Sequence, residues 1–115
     1  MNKIVMYGIP NCDSIKKARR FLDARQVAYS FHDFKKLGVN QNKLQDWCTA
    51  LGYEKLINRR GTTWRNLSEE IKQSMNKKTA LQLMQSQPSI IKRPILETGE
   101  KILCGFDQSE YESLL

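Results

Sequence analysis

The chain has 115 residues, with 19 Lys and Arg against 12 Asp and Glu, a net charge of +7, 40% hydrophobic and 27% charged residues. That length supports one hydrophobic core but not two, and no run approaches the roughly 20 apolar residues a membrane-crossing helix requires. The basic residues fall in short scattered clusters, such as Lys16-Lys17, Arg19-Arg20 and Lys77-Lys78, without interleaved aromatics, which disfavours a nucleic-acid surface.

The opening apolar run, Met1 to Tyr7, passes directly into Gly8 and Pro10. It lacks the length and cleavage site of a signal peptide, so a reducing, cytoplasmic location is expected. Cys12, Cys48 and Cys104 are odd in number and far apart. They make neither a disulfide framework nor a zinc-ligand pattern, and no metal is expected.

Lys3 to Tyr7 reads as a buried strand ended by Gly8-Ile9-Pro10. After Asn11-Cys12-Asp13-Ser14, the apolar residues Ile15, Ala18, Phe21 and Leu22 recur at helical spacing, with Lys and Arg between them. That helix is expected to run to about Arg25. Val27, Tyr29 and Phe31 alternate with Ala28, Ser30 and His32, the period of a second strand. Strand, cysteine loop, helix and strand make a βαβ unit with parallel strands.

The middle is helical. Leu44, Trp47, Cys48 and Leu51 share a helix face that ends at Gly52. A loop from Asn58 to Arg65 follows, and Thr79-Ala80-Leu81-Gln82 has the form of a capping box opening a helix that stops before Pro88. Ile95-Leu96, a Thr98-Gly99 turn and Ile102-Leu103-Cys104 read as an antiparallel hairpin. Residues 107–115 then read as a closing helix capped by Asp107 or Ser109. This order is that of an α/β, thioredoxin-like fold with an inserted all-helical subdomain, the core at about 1–35 and 89–115 and the insert at about 36–88.

Cys12 is the candidate nucleophile. It stands between a strand end and a helix start, where unpaired backbone N–H groups and the helix dipole favour an anion, and the thiolate is the reactive form. Lys16 and Lys17 add to this and Asp13 opposes it. A Cys-x-x-Cys cycle is excluded because Ile15 occupies the second position. A lone thiol must be discharged by another thiol, from glutathione or a distant cysteine. Cys48 and Cys104 lie in core-like patterns, and whether either serves is left open. His32, the single histidine, reads as a surface residue rather than a base.

Arg93-Pro94 is the second constellation. The plain reading is an edge-strand proline beside a solvated arginine. In a thioredoxin-like fold, a cis-proline in this position faces the reactive cysteine, and Arg93 then supplies a fixed cation. The Asn58-Arg59-Arg60-Gly61-Thr62-Thr63-Trp64-Arg65 segment is the third. It can bind an anion or serve only as a surface loop, and taken alone it favours the surface loop.

Taken together, Tyr7-Gly8-Ile9-Pro10-Asn11-Cys12-Asp13, Leu56 to Arg65 and Lys92-Arg93-Pro94-Ile95 resemble the arsenate reductase (ArsC) family, in its Spx and YffB-like branch. The resemblance implies a thioredoxin-like fold with Cys12 as nucleophile and glutathione as co-substrate rather than a bound cofactor. It also implies glutaredoxin as a partner of the reductases. Asn11, Arg59, Arg60, Arg93 and Pro94 become the candidate substrate- or glutathione-binding residues, with the choice between Arg59 and Arg60 open. Arsenate reductases of this type use three arginines on the oxyanion. Arg93 matches one and Arg59 or Arg60 lies near another, but Gly105-Phe106 stands where the third is expected. Spx-type regulators carry a Cys-x-x-Cys switch that Ile15 removes here.

The expected function is therefore a glutathione-dependent thiol oxidoreductase with a single nucleophilic cysteine, acting as a monomer on a disulfide or oxyanion. The alternatives are a weak arsenate reductase and an Spx-like transcriptional regulator that binds RNA polymerase.

Overall fold

The computed structural model describes residues 3–114. In chain order the first elements are β1 (Val5–Gly8), α1 (Asp13–Ala24), β2 (Ser30–Asp33) and α2 (Phe34–Leu37). Next come α3 (Gln41–Leu51), α4 (Tyr53–Leu56), α5 (Thr62–Arg65), α6 (Glu69–Gln73) and α7 (Lys77–Ser86), followed by a 3-10 turn over Pro88–Ile90. The chain closes with β3 (Ile95–Glu97), β4 (Ile102–Cys104) and α8 (Gln108–Glu112). These elements divide into two compact units, one formed by the chain up to Leu37 and from Arg93 onward, the other by Gly38–Lys92.

The first unit is built on a four-stranded sheet of order β2-β1-β3-β4. β1 and β2 are parallel, with Val5 opposite Ser30 and Gly8 opposite Asp33. β3 runs antiparallel to β1, pairing Tyr7 with Ile95, and β4 antiparallel to β3, pairing Ile95 with Cys104. A parallel βαβ unit joined to a hairpin and a last helix is the thioredoxin-like fold, and here the helical unit is inserted between α2 and β3.

The register sets the core. Met6 stands opposite Leu96, and both are fully buried with Ile15, Ala18, Leu22 and Tyr111. Ile15, Ala18, Phe21 and Leu22 form the buried face of α1, and each large apolar side chain so buried contributes about 1.5–3 kcal/mol. Phe21, Phe106 and Tyr111 pack edge to face, with ring centroids 4.8–5.8 Å apart, the geometry that the charge distribution of aromatic rings favours.

The end of α1 explains why the second strand starts later than the alternation from Val27 predicts. Val27 N–H donates to Leu22 O and Gln26 N–H to Asp23 O, both at 3.0 Å, while Gln26 sits at φ 56. This is a Schellman closure. It uses Val27 as a helix-stop residue, packed against the core, so the ladder begins only at Ser30.

In the helical unit, α3 starts at Asn40, whose side chain accepts from Asn42 N–H at 2.7 Å. It stops at Gly52, which takes φ 86 while donating to Cys48 O at 2.8 Å, a conformation that costs a glycine little. Leu44, Trp47 and Cys48 on α3 and Ala80 and Met84 on α7 are buried. The capping box of α7 lies three residues earlier than the sequence pattern predicts. Asn76 is the cap, its side chain accepting from Thr79 N–H at 3.0 Å, and Asn76 N–H in turn donates to Thr79 Oγ1 at 2.9 Å. Thr79 thus supplies the third helical position and not the cap. The unit closes through an antiparallel bridge between Ile57 and Ile91, flanked by Asn58 N–H to Ile90 O at 2.8 Å and Lys92 N–H to Leu56 O at 2.7 Å.

No helix among the described residues is long and apolar enough to cross a membrane.

Candidate active site

Sheet direction determines what gathers around Cys12 in the first unit. β1 runs toward Gly8, so the loop carrying Cys12 leaves the sheet at that end. Because Tyr7 pairs with Ile95, the Arg93-Pro94 step just before β3 lies at the same end. Ile95 pairs with Cys104, which brings Gly105 there as well, and Gly105 N–H donates to Pro94 O at 2.8 Å.

Cys12 is the N-cap of α1, in extended backbone at φ −145 and ψ 133, and its own side chain makes no cap hydrogen bond. Its carbonyl accepts from Lys16 N–H at 3.0 Å. Cys12 therefore stands at a helix start whose first N–H groups lack intrahelical partners. Cys12 is half-buried, while Cys48 and Cys104 are each 6% exposed. Burial pushes the Cys48 thiol up, against an opposing pull from Lys77. Ile15, three residues after Cys12, is fully buried in the core.

The Arg93-Pro94 bond is cis. Pro94 is buried and Arg93 half-buried, while Asn11 is exposed. Gly8 holds β1 close to both neighbouring segments. A Cβ at Gly8 would collide with Ile15 Cδ1 and would lie 3.7 Å from Arg93 Cβ. A Cβ there would force the Ile15 side chain to move. His32 is half-buried, with its ring tilted on that of Tyr7 at 5.0 Å between centroids.

Arg59 and Arg60 belong to the helical unit. Asn58 shapes their turn, with its side chain accepting from Arg60 N–H at 3.2 Å and its carbonyl accepting from Gly61 N–H at 3.4 Å. The segment expected as a plain loop then forms α5, a single turn too short to show helical periodicity. The Arg59 guanidinium lies 5.2 Å from the Trp64 ring centroid. Both arginines line a cavity of about 320 Å³ together with Glu54, Lys55, Ile57, Asn58 and Lys92. Sequence reasoning missed Lys55 and Lys92. Lys92 reaches this place through the Ile57–Ile91 bridge, a long-range pairing that composition does not announce.

Among the described residues, no group of three or more His, Cys, Asp or Glu could hold a metal ion.

The ArsC family model matches residues 7–114. The chain belongs to the ArsC family. A solved YFFB protein is 45% identical, with 96% of this chain and 97% of that one covered and a TM-score of 0.93. An arsenate reductase (ArsC) related protein from Brucella melitensis is 40% identical over 96% of this chain and 92% of its own, with a TM-score of 0.80. The chain is also similar to the global transcriptional regulator Spx of Streptococcus agalactiae, at 25% identity over 97% of this chain and 82% of that protein.

Proposed function

We propose that this ArsC-family protein is a glutathione-dependent thiol oxidoreductase of the reducing cytoplasm, with Cys12 as its single nucleophile. The observation that carries the reading is the contrast among the cysteines. Cys12 is half-exposed at a helix start, whereas Cys48 and Cys104 are buried and the resolving position holds Ile15.

The Cys12 thiolate attacks one sulfur of a glutathione mixed disulfide. The old S–S bond breaks, a Cys12–glutathione disulfide forms, and the substrate leaves as a thiolate that takes up a proton. A second glutathione thiolate then attacks the adduct, releasing oxidised glutathione and restoring Cys12. The net exchange consumes one glutathione thiol for each mixed disulfide reduced and yields oxidised glutathione. Arg93 serves as the cation beside the reacting sulfur, and Pro94 and Asn11 shape the approach, while Arg59 and Arg60 of the helical unit are cations suited to carboxylates.

Turnover of a glutathionylated peptide by purified protein with glutathione, against a Cys12→Ser control, tests the reading. Loss of turnover in the control is the expected result.

The similarity to Spx over nearly the whole chain supports a second reading, a regulator that binds RNA polymerase. A protein that binds RNA polymerase and turns over no thiol substrate would favour it.

A further inference from the structure

The cavity at Arg59 and Arg60 has a charge pattern that a simple anion site would not need. Lys55, Arg59, Arg60 and Lys92 line it, and so does the carboxylate of Glu54. Glu54, Arg60 and Lys92 are all exposed. Among the described residues their side chains make no ion pair with one another or with any other group. Among the described residues, the guanidinium of Arg59 is engaged by the face of Trp64, a contact that holds it in place without neutralising it.

For a ligand that is purely anionic, Glu54 is a defect. A carboxylate on the wall of an anion pocket repels the ligand and weakens the cations beside it. For a ligand that carries an ammonium and a carboxylate on one carbon, the same wall is complementary at both charges. Electrostatic matching of this kind selects between ligands more than it adds affinity. Glutathione has two unlike ends. The glycine end is a lone carboxylate, and the γ-glutamyl end is an α-amino acid with both charges.

We infer that this cavity recognises the α-amino-acid end of the γ-glutamyl residue, with Glu54 receiving the ammonium and Arg60 and Lys92 the carboxylate. The inference rests on the glutathione reading above and deepens it, since it gives Glu54 a role in specificity. Asn58 contributes by fixing the turn from which Arg60 projects, through its bond to Arg60 N–H. The selectivity follows directly. Thiols that lack the γ-glutamyl ammonium are disfavoured, even when they carry as many carboxylates.

Calorimetric titration of the full chain with glutathione and with N-acetylglutathione, whose ammonium is removed, tests the inference. Native protein is expected to bind glutathione about two- to fivefold more tightly, the range for a solvent-exposed charge pair. Glu54→Gln, a surface change that leaves the fold intact, is expected to erase that preference and to leave N-acetylglutathione binding unchanged or tighter. Equal affinity of the native chain for the two ligands overturns the inference and leaves the glutathione reading standing. Equal weakening of both ligands by Glu54→Gln does the same. Absence of any glutathione binding overturns the glutathione reading and this inference with it.

Discussion

Gly105 is tied to Pro94 by a 2.8 Å hydrogen bond from its N–H to the proline carbonyl, at a backbone φ of 78. The residue is buried, and its left-handed conformation costs any side-chain-bearing residue roughly 1–2 kcal/mol. The position where the family resemblance leads one to expect a third oxyanion-binding arginine is therefore built for glycine. Arsenate turnover with glutathione and glutaredoxin is expected to be weak or absent, because one lost charge contact to a transition state costs on the order of a hundredfold or more in rate. Gly105→Arg is expected to lower stability without conferring the activity. An arsenite-release assay on both proteins, with urea denaturation alongside, checks this.

The cysteines differ in access, and alkylation should rank them. Iodoacetamide on the native protein is expected to label Cys12 first and Cys48 and Cys104 only slowly, because both are 6% exposed and burial holds the Cys48 thiol in its unreactive protonated form. Peptide mass mapping over a time course reads the order. Faster labelling of Cys48 or Cys104 would contradict the assignment of the nucleophile.

Much of this site is legible in the sequence, for a physical reason. Ile15, Ala18, Phe21 and Leu22 show the helix because one face of it must be buried, and Asn11-Cys12-Asp13 shows its start because the chain must turn there. The same logic fails where pairing is long-range or an element is a single turn. Thr79 looks like a cap because a hydroxyl before an apolar run usually is one, yet Asn76 is better placed to accept from Thr79 N–H. Val27 looks like strand until the helix closure at Gln26 consumes it. The Arg59-Arg60 pair is visible as charge, but its partners Glu54, Lys55 and Lys92 are gathered by the Ile57–Ile91 bridge.

The closure at Gln26 offers a test of that local account. A glutamine at φ 56 pays the left-handed penalty that glycine avoids. Gln26→Gly is expected to raise stability by about 0.5–1 kcal/mol, read by urea denaturation, with no change in thiol reactivity.

Alkaline pH should destabilise the fold. Burial is the main cause that raises the Tyr111 hydroxyl well above the usual tyrosine range, reinforced by Glu110 and Cys104. Burial likewise raises Cys48 above its reference value of 9.0. A raised acid holds its proton longer folded than unfolded, so its contribution is fully present below the unfolded value and is lost as pH climbs through the folded one. Stability is expected to hold from neutral to about pH 9 and to fall beyond it. The Tyr111 hydroxyl is buried without a hydrogen-bond partner among the described residues. Tyr111→Phe is therefore expected to stay within about 1 kcal/mol of the native protein at pH 7 and to flatten the alkaline fall. Denaturation curves across pH 7–11 measure both effects.

The most direct test of the central claim is the steady-state rate at which purified protein reduces a glutathione mixed disulfide, coupled to glutathione reductase and compared with Cys12→Ser. Turnover that depends on glutathione concentration, survives in a Cys48→Ser, Cys104→Ser double variant and falls to background in Cys12→Ser is the expected result. Turnover that persists in Cys12→Ser, or that vanishes when Cys48 and Cys104 are replaced in a folded protein, would contradict a single nucleophilic thiol at position 12.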